Sequence, residues 1–137
     1  MAVTTLDRAA LRQGALTALL FAVPFSILGR WLADREEDSP WVPVLWLLAL
    51  GGFALGAGIA AWLQHTGYPL LHGIVAAGGT YLVAQTVFVV IKLARGGEVR
   101  WLGVMFTFTF VVLAGVVGGG LGSALQKRGI LPGQRRT

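Results

Sequence analysis

Apolar positions along the chain gather into four long runs, at about residues 11–32, 41–63, 70–94 and 101–125, with short polar stretches between them. The second run has 23 residues. At ~1.5 Å rise per residue it reaches roughly 35 Å, enough to cross hydrocarbon with some tilt. The pattern predicts an all-α fold, a bundle of four transmembrane helices, with two tandem helical hairpins as its outline.

The interruptions support that division. Residues 1–10 form a short leader containing Asp7 and Arg8. A basic start followed by an apolar core also suits a signal peptide, but Trp31 and Leu32 precede Ala33, which makes a poor cleavage site. The first span is therefore expected to stay uncleaved, with a bend at Pro24, which removes one amide donor. Arg30–Pro40 carries the densest charge, including Asp34, Glu36, Glu37 and Asp38. These carboxylates lack the alternating spacing and central glycine of a calcium loop, so a solvated loop is expected. The stretch from Gln64 to Pro69 reads as a tight turn. Lys92 and Arg95 close the third span by reaching toward water. Residues 126–137 form a basic tail expected to lack regular structure.

Two spans carry stripes of very small residues. Gly52, Gly56 and Ala60 fall four apart in the second, and so share a helix face. The fourth repeats the idea with Gly115 and Gly119, and with Gly118 and Gly122, each pair at GxxxG spacing. Such faces let helices approach backbone to backbone in lipid. The two stripes are expected to meet each other along the bundle axis. The halves also correspond at an offset of about 60 residues, with Gly14 and Trp41 echoed by Gly73 and Trp101. Each unit holds two spans, so the copies would run parallel rather than inverted.

Composition agrees with a membrane domain. The 137 residues are 55% hydrophobic and only 12% charged, with a mean hydropathy of +0.73; a soluble domain is roughly 25% charged. The absence of cysteine excludes disulfides and thiol chemistry. The net charge of +5 sits beside the spans and on the tail, where topology selection puts it, so nucleic acid is not an expected partner. With the termini in the cytoplasm, six Lys and Arg lie inside against five outside, which favours that orientation in a bacterial plasma membrane.

Candidates for chemistry are few. All acids lie in the leader and loops, and no nucleophile–base arrangement or glycosidase-like carboxylate pair is apparent, so no enzymatic activity is expected. His65 and His72 bracket the central turn without further ligands nearby, and neither a metal nor a cofactor is expected. The third span is the most polar. Thr80, Tyr81 and Gln85 lie near its centre, with Tyr81 and Gln85 on one face. They are either interhelical glue or the lining of a polar ligand or ion path. No span carries an ionisable group at its centre, which counts against proton coupling.

Several segments together resemble a known type of protein. These are the glycine-rich second helix, Pro69–Gly73 (PLLHG), Arg95–Glu98 (RGGE) and Trp101–Gly103 (WLG). In this order they are similar to small four-span membrane proteins of Gram-positive bacteria, actinobacteria above all. The resemblance implies a four-helix plasma-membrane protein and brings no activity, ligand or site residue with it. The leading expectation is a non-enzymatic structural or accessory protein, forming a homo-oligomer or joining another membrane protein through its glycine stripes. The alternative is a small transporter or channel using the polar centre of the third span. The lipid bilayer is the one partner read directly from the sequence, and no small-molecule ligand is specified.

Overall fold

The computed structural model describes residues 5–132; the outermost parts of the expected leader and tail, residues 1–4 and 133–137, lie outside the described residues. Four helices follow one another: α1 (Arg8–Arg35), α2 (Trp41–Leu63), α3 (Pro69–Ala94) and α4 (Trp101–Lys127). They pack as a bundle, and each is long and apolar enough to cross a membrane.

The helix ends follow from local chemistry. Helix α1 begins at Arg8, before the expected position 11, because Asp7 caps it: its side chain accepts from the Ala10 N–H at 3.1 Å. The helix then continues through Pro24 to Arg35. Proline at the first position of α3 suits a turn whose amides have no partner there anyway. Helices α3 and α4 both end in Schellman turns. Gly96 and Gly129 take φ of +76° and +75°, a conformation that side chains disfavour. Gly97 and Ile130 then donate back to the carbonyls of Lys92 and Leu125 at 2.9 and 3.1 Å. Gln126 and Lys127 therefore belong to α4 and not to the tail, and the chain turns back at Ile130.

The radial distribution of side chains is the reverse of a water-soluble protein's. Buried positions are dominated by alanine and glycine, among them Ala18, Ala57, Ala60, Ala61 and Ala77. Exposed positions include Leu20, Leu47, Val83, Leu102 and Leu121. Water would favour the opposite arrangement, since burying a leucine is worth roughly 2 kcal/mol. In lipid that drive vanishes, and close backbone packing holds the helices together.

Within each hairpin one set of contacts recurs. A Cβ placed on Gly14 would lie 2.5 Å from the Gly56 carbonyl oxygen and 2.7 Å from the Ala60 Cβ. One placed on Gly73 would lie 2.7 Å from both the Gly115 carbonyl oxygen and the Gly119 Cα. Gly56 faces Ala18 as Gly115 faces Ala77. Gly73, Ala77, Gly115 and Gly119 lie 59 positions beyond Gly14, Ala18, Gly56 and Ala60. The loose correspondence of the two halves is thus a shared packing register.

The hairpins are displaced sideways rather than rotated about a common axis. Helix α3 contacts α1, α4 contacts α2, and α2 also touches α3. A two-fold rotation would turn the α2–α3 contact into an α4–α1 contact, yet α1 and α4 do not touch among the described residues.

This arrangement corrects the expected meeting of the two stripes. Gly52, Gly56 and Ala60 face α1, not α4. Helix α4 divides its glycines between two neighbours. Gly115 and Gly119 face α3, whereas Gly118 and Gly122 face α2 at Ala54, Ala57, Gly58 and Ala61. One helix offers two seams because residues three apart point about 60° away from each other. All seven stripe residues are buried within the single chain.

Candidate functional site

Small-residue packing draws the helices together at one end of the bundle only. The closed end carries the start of α1, the end of α4 and the α2–α3 turn, and polar contacts fasten it. The Asp7 N–H donates to His72 Nε2 at 2.8 Å. His72 is fully buried, and its Nδ1 lies 2.7 Å from the Tyr68 carbonyl oxygen. The network therefore assigns the proton to Nδ1, and both ring nitrogens are engaged. Gln64 Oε1 accepts from the amides of Thr66, Gly67 and Tyr68. Its Nε2 donates to Gln126 Oε1 at 3.1 Å, and Gln126 Nε2 donates to the carbonyls of Trp62 and Gln64. Trp62 Nε1 donates to the Ile130 carbonyl at 2.7 Å, which ties the Schellman turn of α4 to the end of α2.

The opposite end spreads apart. No residue of α1 beyond Ala22, of α3 beyond Tyr81 or of α4 before Val111 is buried. Bulky side chains stand there, such as the Trp46–Phe110 pair, with ring centroids 5.3 Å apart. Between the four helices lies a cleft of about 980 Å³. Its floor is apolar, formed by Ala22, Ala49, Phe53 and Val111 around Tyr81. Phe53 and Phe108 flank the Tyr81 ring, at 6.1 and 5.9 Å between centroids. The Tyr81 hydroxyl donates to the Val104 carbonyl at 3.0 Å and joins α3 to α4.

Higher in the cleft the lining turns polar, with Ser26, Gln85 and Thr107. At the mouth stand Arg30, Lys92, Arg95 and Arg100, with Asp34 the one carboxylate on the lining among the described residues. The Arg30 guanidinium lies 4.9 Å from the centroid of the Phe88 ring, bridging α1 to α3. The cleft therefore changes from hydrocarbon-like to cationic along its depth.

Of the three polar residues singled out in the third span, Tyr81 and Gln85 line this cleft and Thr80 does not. Thr80 is buried, but one residue along a helix turns about 100°. The four basic residues at the mouth escaped the sequence reading, which assigned them to span ends and solvated loops. Their signal was topological: both loops on that side carry cations, and hairpin geometry brings the loops together.

No family model matches the chain, and neither does any curated protein or solved structure.

Proposed function

We propose that the protein is a non-enzymatic, multi-pass protein of a bacterial plasma membrane that takes an amphipathic small molecule into the cleft from one side. The observation that carries this reading is the cleft itself, wide and graded in polarity at one end and sealed at the other. A large, mostly apolar pocket with a few convergent polar groups is the usual form of a ligand site. The sealed end argues for a binding protein or carrier rather than an open pore. An accessory role through the glycine stripes was the stronger expectation from sequence. The burial of all seven stripe residues in one chain shifts the weight to the cleft. With the termini in the cytoplasm, as the charge distribution favours, the mouth opens to the outside.

Cysteine labelling tests this directly, because the natural chain has no thiol. In right-side-out membranes, Gln85→Cys is expected to react with a membrane-impermeant maleimide added outside. Ala57→Cys, at a fully buried position, is expected to remain unmodified. A Gln85→Cys protein that resists the reagent from both sides, or reacts equally from both, contradicts a one-ended cleft; reaction from the cytoplasmic side alone keeps the cleft and reverses the orientation.

A further inference from the structure

The geometry points to an anionic lipid as the ligand class, seated with its headgroup at the mouth and its chain on the apolar floor; this rests on the cleft being a binding site, as proposed above. Three observations converge on it. The first is charge: four cations against one carboxylate line the mouth. Part of that excess is ordinary for helix ends, since Lys92 also lies in the last turn of α3. Arg30 and Arg100 come from other elements, however, and face the same opening. Glu36, Glu37, Asp38 and Glu98 stand in the same two loops but off the lining, so the excess of cations is local to the cleft wall and matches an anionic group there.

The second is depth. Arg30 lies eight residues from Ala22 along α1, or about 12 Å at the helical rise. Lys92 lies eleven residues from Tyr81, and Arg100 eleven from Val111, or about 16 Å each. One leaflet of a hydrocarbon core of about 30 Å has this depth. Exposed Trp41 and Trp101, at the starts of α2 and α4, mark the same level as the mouth, where indoles favour the membrane interface. The charges therefore stand at headgroup height and the floor near the bilayer centre.

The third is shape. A free inorganic anion leaves the space around Phe53, Ala49 and Val111 unfilled, whereas an acyl or isoprenoid chain fills it. Between charge and floor, the Gln85 amide and the Ser26 and Thr107 hydroxyls line the cleft about 6 Å above the floor at the helical rise, so the wall facing the upper part of the chain is mixed rather than purely apolar.

The test uses the full chain in neutral detergent and counts bound lipid by native mass spectrometry. Dioleoyl-phosphatidylglycerol is expected to bind at least about tenfold more tightly than dioleoyl-phosphatidylcholine, since each juxtamembrane cation favours anionic lipid. The triple variant Lys92→Gln, Arg95→Gln, Arg100→Gln alters only exposed side chains and is expected to erase that preference. Thr107→Trp, which fills the cleft from α4, is expected to abolish lipid binding while the four cations remain. Inorganic phosphate at millimolar concentration is expected not to displace the lipid. Equal binding of both lipids, or a preference that survives the triple variant, overturns the anionic assignment and leaves the cleft reading standing. Displacement by phosphate overturns the lipid in favour of a soluble anion. Phosphatidylglycerol binding that persists in Thr107→Trp puts the lipid on the outer rim and overturns the seated pose. If no amphiphile of any charge binds and the Gln85→Cys labelling also fails, the cleft reading falls with it.

Discussion

The two ends of the bundle are built from the same four helices by opposite rules. At the closed end the chain removes side chains and uses backbone, as where the Gly14 and Gly56 carbonyls each lie against the other glycine. Polar groups there are satisfied by one another, through His72, Gln64 and Gln126. At the open end the side chains are large, the polar groups face a cavity, and the Tyr81 hydroxyl reaches across to the Val104 carbonyl. Rigidity at one end is what allows the other to hold a cavity without the bundle coming apart. In a medium where the hydrophobic effect does not drive helices together, cohesion comes from fitted contact; here all four helices share it at one end, and α1 and α2 alone carry it on into the other, at Gly29 and the buried Leu45 and Ala49.

The largest test of that contrast exchanges glycines. Gly118→Leu drives a side chain into the Ala54 carbonyl and is expected to cost more than about 3 kcal/mol, beyond the usual range for overpacking because backbone must move. Gly103→Leu at the open end has only the Arg100 Cβ nearby, at 3.9 Å, and is expected to change stability by less than about 0.5 kcal/mol. Unfolding of the purified protein in detergent gives both values, and similar losses would remove the distinction between the ends. Next in size is Gln64→Leu, which leaves three turn amides without their acceptor. A cost of about 2 kcal/mol is expected. Hydrogen exchange should rise at residues 66–68 and stay unchanged at 95–99; a rise at both places would mean that the ends are coupled. Smallest is Tyr81→Phe, which removes the hydroxyl and keeps both ring contacts. Interhelical hydrogen bonds in membranes average about 0.6 kcal/mol, and a loss of that order is expected.

The fold was largely legible, because long apolar runs bounded by charge and tryptophan have few alternatives. The partners of each helix were less so. The stripe Ala10, Gly14, Ala18 and Ala22 on α1, buried at every fourth position, passed unnoticed because alanine reads as ordinary apolar sequence. Without it, the stripe Gly52, Gly56 and Ala60 was matched to the stripe of α4 instead of to α1. Tyr81 and Gln85 were visible because four-residue spacing fixes a shared face. The mouth of the cleft was not, since Arg30, Lys92 and Arg100 come from three elements and converge only once the hairpins lie side by side.

That sideways displacement has a consequence for growth. A hairpin that accepts a copy of itself by translation can in principle accept another, as solenoid repeats do. The face of the first hairpin that receives the second consists of Ala54, Ala57, Gly58 and Ala61. In the same register, the corresponding face of the second hairpin is Leu113, Val116, Val117 and Gly120, with the three branched residues exposed. Where the first hairpin offers alanine and glycine to its neighbour, the second offers mostly branched side chains to lipid. The second hairpin repeats the packing register of the first without repeating its receiving face.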